Sequence, residues 1–129
     1  MTDTREKNQN ALILLIDDDL SALEVTRKLL HSLEFRVIET SHAEQGIFRA
    51  KTGERPDLVL TDYHMPVKNG VEVIMDIRAW AGEDIPGIVM SGDRSRAMTD
   101  IVAGAALPLL SKPFQRSELF ELIVNTLSD

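Results

Sequence analysis

The sequence predicts an α/β domain on a five-stranded parallel sheet, and three observations predict it. Short apolar runs alternate five times with segments of helical period. The first run, Ala11–Ile16, is continuously apolar, as befits a strand covered on both faces. The chain has 129 residues, the size of one compact domain, and its 43% hydrophobic fraction is ample for a single core. Strands joined through helices in this way lie parallel, with right-handed crossovers, in a doubly wound sheet.

Each element follows in turn. Residues 1–10, MTDTREKNQN, are polar and read as a flexible lead-in, leaving 11–129 for the domain. After the first strand, Ala22, Val25, Leu29 and Leu33 recur at helical spacing, with Ser21 as candidate N-cap. Phe35–Thr40 reads as the second strand, and Ala43, Ile47 and Ala50 mark a helix ending near Gly53. Leu58–Thr61 is a short buried strand introduced by Pro56 and Asp57, and Val71, Ile74 and Ile77 carry the third helix. Ile88–Met90 is the fourth strand, with Pro86 and Gly87 at its start. Met98, Ile101 and Val102 predict a fourth helix closing at Gly104. Leu107–Leu110 is the fifth strand, and Leu119, Leu122, Ile123 and Thr126 line the last helix.

Composition excludes several classes of function. No cysteine is present, so disulfide frameworks and thiolate chemistry are ruled out. The opening residues lack the apolar stretch of a signal peptide, and no apolar run approaches the length of a membrane span. A soluble, cytoplasmic protein is expected. Net charge is −7, from 21 acidic against 14 basic residues, which works against binding nucleic acid because that affinity rests on cations neutralising phosphates.

In a doubly wound sheet, ligands bind at the carboxyl ends of the strands. Here the first strand ends in Asp17-Asp18-Asp19, the third at Asp62, the fourth at Ser91-Gly92 and the fifth in Ser111-Lys112-Pro113. A parallel sheet delivers all of these to one edge. Clustered carboxylates repel and raise each other's pKa values unless a cation intervenes, and Mg²⁺ suits a few carboxylates with waters and a phosphate. A lysine and a hydroxyl facing that metal supply what a transferring phosphoryl group needs, and one Asp can act as nucleophile. Taken singly, each signal has a plainer explanation: Asp runs cap helices, and a lone Ser or Lys after a strand is commonly a cap or a solvated charge.

The stretches LILLIDDDLSAL (12–23), PDLVLTDYHMPVKNG (56–70), GIVMSGD (87–93) and LLSKPF (109–114) resemble the receiver domains of two-component response regulators. The resemblance implies the chemotaxis-regulator-like, flavodoxin-like (βα)5 fold with strand order 2-1-3-4-5. It implies that Asp62 is the phosphoacceptor, taking a phosphoryl group from a histidine kinase or histidine phosphotransfer protein. Mg²⁺ would be held by Asp18, Asp62 and the backbone carbonyl of His64, with Asp17 acting through metal-bound water. Ser91 would hydrogen-bond the phosphoryl group, Lys112 would pair with it, and the Lys112–Pro113 bond would be cis. Asp19 has no counterpart and is expected to cap or turn. Pro66 would stiffen the loop after Asp62, Gly70 would take a backbone shape barred to larger residues, and Gly92 would leave space beside the phosphorylation site.

The chain departs from the family at Leu109, where many receivers carry an aromatic residue that turns inward when the hydroxyl engages phosphate. LPLLSKPF, with its stiffening Pro108, resembles receivers attached to hybrid histidine kinases. His64 and Asp93 stand two residues beyond Asp62 and Ser91, where side chains are expected to tune acyl-phosphate lifetime. The expected output is a switch rather than an enzyme, signalling by contact with a downstream protein through the face of helix four, strand five and helix five, with homodimerisation left open. Since the chain ends after the fifth helix, it is expected to be either a stand-alone receiver or a piece of a longer protein. Phe48 and Trp80, off their helices' apolar stripes, are candidate contact residues. Two other functions are compatible with parts of the pattern: a haloacid-dehalogenase-type phosphohydrolase using Asp17 and Asp19, and a phosphorylation-independent adaptor.

Overall fold

Alternation along the central strands dictates the layers. A computed structural model describes residues 10–128; most of the lead-in expected over 1–10 lies outside the described residues. The elements run β1 (Leu12–Ile16), α1 (Leu20–Ser32), β2 (Arg36–Thr40), α2 (Ala43–Thr52), β3 (Leu58–Asp62), α3 (Gly70–Ala81), β4 (Gly87–Ser91), α4 (Arg96–Gly104), β5 (Leu109–Ser111) and α5 (Arg116–Ser128). All pairings are parallel, in the order β2-β1-β3-β4-β5, as expected. Successive residues of a strand point to opposite faces. Ile13, Leu15, Leu58, Leu60, Ile88 and Met90 therefore pack with Leu23 and Leu30 of α1 and Leu119 and Ile123 of α5. Leu14, Ile16, Val59 and Val89 face α2, α3 and α4. Burial on both sides explains the unbroken apolar runs.

The face α1 buries differs from the one its first-read stripe suggests. Leu23, Thr26 and Leu30 point inward, while Val25 is 59% exposed and Ala22, Leu29 and Leu33 are half-buried. Two apolar stripes of the same period lie side by side on this helix, and a threonine in the inner one disguises it. The N-cap is Asp19, not Ser21: its carboxylate accepts hydrogen bonds from the backbone N–H groups of Ser21 and Ala22. In α4, Met98 and Val102 are buried but Ile101 is 48% exposed, and Gly104 is the last helical residue, with Ala105 capping. Strand β5 starts two residues later than expected. The N–H of Leu107 still donates to the Val102 carbonyl, closing α4 with Ala106 at φ +57°, and Pro108 has no N–H to give. No helix among the described residues is long and apolar enough to cross a membrane.

Candidate phosphoryl-transfer site

Four strand ends converge at the carboxyl edge. Asp17 follows β1, Asp62 ends β3, Ser91 ends β4 and Lys112 follows β5. The registers Ile16↔Thr61, Asp62↔Met90 and Ser91↔Ser111 hold them level. One carboxylate oxygen from each of Asp17, Asp18 and Asp62 lies within 4.8 Å of the others. Asp17 is 1% exposed, Asp62 half-buried and Asp18 exposed. Oxygen donors so close together suit a hard divalent cation, so these residues fit Mg²⁺.

Lys112 reaches into this acidic group from 95 residues along the chain. Its Nζ lies 2.8 Å from Asp17 Oδ2 and 2.9 Å from Asp62 Oδ1. The other oxygen of Asp17, Oδ1, accepts from the backbone N–H of Asp19. Burial pushes the Asp62 carboxyl above the ordinary aspartate value; the bond and charge of Lys112 pull against this, while the charges of Asp17 and Asp18 add to it. Burial alone would lower the Lys112 ammonium, but its hydrogen bonds to Asp17 and Asp62 outweigh that and leave it raised. The Lys112–Pro113 bond is cis.

The surrounding loops are tied down. Ser91 is buried, and its Oγ accepts from the backbone N–H of Asp93 at 2.9 Å, leaving the hydroxyl proton free to donate elsewhere. Asp93 Oδ1 accepts from the Ser95 N–H, and Oδ2 lies 2.8 Å from His64 Nε2. The Ser95 backbone bond, then the His64 bond, hold the Asp93 carboxyl below the usual range. His64 therefore bridges the β3–α3 and β4–α4 loops. Sequence reading singled out both residues but not their contact, since 29 residues separate them and nothing local signals it.

The loop after Asp62 is closed by the Gly70 N–H donating to the Tyr63 carbonyl at 2.9 Å, and by a capping box between Asn69 and Glu72 that starts α3. Gly70 does not occupy a left-handed conformation; space is what requires it. A Cβ there would stand 2.6 Å from the Asp62 carbonyl oxygen. Gly92, by contrast, is uncrowded: a Cβ would meet only Lys112 Cβ, at 4.0 Å. Lys68, which sequence reading passed over, forms ion pairs with Asp76 of α3 and Glu44 of α2. Phe48 and Trp80 are 62% and 47% exposed. The Asp19 carboxylate, turned to cap α1, takes no part in the pocket.

Fold and pocket together define a doubly wound domain with an acidic edge suited to a divalent cation. The chain belongs to the response regulator receiver domain family, whose description it matches over residues 13–124. It is 33% identical over 109 residues to the KDP operon transcriptional regulatory protein KdpE of Escherichia coli, covering 83% of this chain and 47% of that one. It is 36% identical over 110 residues to the two-component response regulator ARR14 of Arabidopsis thaliana, covering 83% and 28%. The chain thus spans half or less of the length of these relatives. Among solved structures, the receiver domain of sensor histidine kinase PA1611 from Pseudomonas aeruginosa, which has a magnesium ion coordinated in its active-site cleft, superposes with a TM-score of 0.81 at 26% identity. That alignment covers 93% of this chain and 99% of that one. Chemotaxis protein CheY4 of Vibrio cholerae shares the fold, with a TM-score of 0.81 at 20% identity over 90% and 98% of the two chains. Receiver domains are signalling switches rather than conventional enzymes; they bind Mg²⁺ in the acidic pocket and interact with histidine kinases or phosphotransfer proteins.

Proposed function

We propose that residues 11–129 form a receiver domain in which Asp62 accepts a phosphoryl group from the phosphohistidine of a kinase or phosphotransfer protein. The observation that carries this reading is the setting of the Asp62 carboxylate, half-buried beside Asp17 and Asp18 and 2.9 Å from the Lys112 ammonium. In the step proposed, Asp62 Oδ2 attacks phosphorus, an O–P bond forms, the P–N bond of phosphohistidine breaks, and the departing imidazole takes up a proton. Lys112 pairs with a phosphoryl oxygen, and Ser91, its own oxygen already occupied by the Asp93 N–H, donates its hydroxyl proton to another. Asp18, Asp62 and the His64 carbonyl would hold Mg²⁺, with Asp17 acting through water, and the ion would offset charge on the phosphoryl oxygens.

Two features support a protein phosphodonor and a protein output. The outer stripe of α1, with Ala22, Val25 and Leu29, borders an apolar groove shared with Lys112, Pro113 and Phe114, beside the pocket. Ile101 of α4 and the half-buried Leu109 of the edge strand β5 belong to the α4–β5–α5 face proposed for output. Phosphorylation would shift a pre-existing equilibrium of that face. Incubation with acetyl phosphate and Mg²⁺, followed by mapping of the aspartyl phosphate, tests the reading: label falls on Asp62 and is lost in Asp62→Ala. Label on Asp17 would instead favour the hydrolase alternative, against which Asp19 is committed to capping. Absence of Mg²⁺-dependent label would favour the adaptor.

A further inference from the structure

Val67 stands where valine is costly. Its φ is +74°, and the Lys68 N–H returns to the Pro66 carbonyl at 2.9 Å, closing a three-residue turn with Val67 at its apex. This left-handed region disfavours a branched Cβ, and turns of this hand are rare and strained. The turn is nonetheless held on its C-terminal side, by the ion pairs of Lys68 with Asp76 and Glu44 and by the Asn69–Glu72 capping box. What the strain presents is an apolar side chain 93% exposed to solvent. Val67 shares a groove with Leu20, itself 69% exposed, with Pro66 and His42, and with Asp18 of the phosphoacceptor pocket.

Strain kept at an exposed position points to a use for the group it displays. A small acyl phosphate needs only the pocket. A protein that brings a phosphohistidine to Asp62 must lay its surface over the pocket mouth, and the groove walled by Asp18 is part of that mouth. We infer that Val67 and Leu20 are specificity-determining residues for the phosphodonor, gripping an apolar collar around the phosphohistidine of a partner protein. Glu44 on the same rim is already paired with Lys68 and Asp18 is a proposed metal ligand, so the grip on that collar is apolar.

This inference rests on the phosphoacceptor reading, and the experiment separates the two. Wild type, Val67→Asn, Val67→Gly and Leu20→Ser are labelled with Mg²⁺ by two donors: acetyl phosphate, and a panel of purified phosphotransfer proteins carrying ³²P-phosphohistidine. Transfer from at least one phosphoprotein is expected to slow about tenfold in each variant, roughly what withdrawing one apolar side chain from contact forfeits. Labelling by acetyl phosphate stays at the wild-type rate. Asn and Gly accept a positive φ, so the thermal midpoints of both Val67 variants equal or exceed that of wild type. Equal slowing with both donors, no slowing with any phosphoprotein, or a lowered midpoint in Val67→Asn would each overturn the inference. A wild type that acetyl phosphate cannot label sinks the phosphoacceptor reading itself.

Discussion

Replacing Gly70 with alanine sets two physical effects against each other. Gly70 is the first residue of α3 and does not occupy a positive φ, so on propensity and unfolded-state entropy alanine should stabilise by about 0.4–1 kcal/mol. Against this, the new Cβ would lie 2.6 Å from the Asp62 carbonyl oxygen, 3.2 Å from its carbon and 3.1 Å from Thr61 Cγ2. Two of these three atoms are backbone, and one belongs to a β3 residue buried on both faces of the sheet, so relief requires moving the end of the strand. Overpacking of this kind costs about 1–3 kcal/mol, and the net expectation is destabilisation of about 1–2 kcal/mol. The shift also displaces Asp62, and misplacing a reacting group by about 1 Å slows a reaction on the order of a hundredfold. Urea unfolding should show a lower midpoint with an unchanged slope, and acetyl phosphate labelling should slow by more than about tenfold. Gly104→Ala is the internal control: a Cβ there meets nothing within 4 Å, so the same substitution should stabilise by about 0.4–1 kcal/mol. A Gly70→Ala protein as stable as wild type, and labelled as fast, would refute the steric argument.

Further outcomes follow from the same geometry. Without divalent metal, Asp62→Asn should raise the urea midpoint near neutral pH. The folded-state pKa of Asp62 lies above 3.8, so its contribution to stability is complete below that value and lost as pH rises through the raised one; the gap between variant and wild type should close on acidification, and a gap of opposite sign would contradict the burial argument. Lys112→Met removes the cation from between Asp17 and Asp62, and Mg²⁺ titration should show tighter binding alongside slower phosphoryl transfer; weaker binding would mean that the ammonium assembles the site rather than competing for it. His64→Asn or Asp93→Ala breaks the bond joining the two loops over the pocket, and the aspartyl-phosphate half-life should change by about twofold to tenfold, the worth of one such bond; unchanged half-lives would remove both residues from the account. Arg116 donates to the Ser32 hydroxyl and carbonyl, tying α5 to the end of α1, so Arg116→Ala should lower stability by about 0.5–1.5 kcal/mol in thermal or urea unfolding.

The five strands, their parallel order and the grouping of Asp17, Asp18, Asp62, Ser91 and Lys112 were legible because strand ends in a doubly wound sheet share an edge. Sequence position alone brings such residues together once the alternation is recognised. The buried face of α1 was misread because its inner stripe contains Thr26, while the outer one reads Ala22, Val25, Leu29 and Leu33. The start of β5 was misplaced because Leu107 is buried like a strand residue yet completes the turn after α4. The reason for Gly70 lay in a contact with Asp62, eight residues back, that exists only after the loop folds over. The His64–Asp93 contact and the backbone of Val67 leave no periodic trace at all.

The position of Lys112 has an arithmetic consequence. Three aspartates and one ammonium leave the pocket two formal negative charges short of neutrality, the deficit a single divalent ion makes good. Phosphorylating Asp62, as proposed, would form a mixed anhydride that cancels the carboxylate's own charge but imports a group carrying roughly −2, so the filled pocket would end about one charge more negative than before. Hydrogen-bond donors around the pocket, the Ser91 hydroxyl among them, would have to answer that surplus. On this count, the drive for rearrangement would be electrical and would fall first on Ser91 at the end of β4, whatever residue occupies position 109.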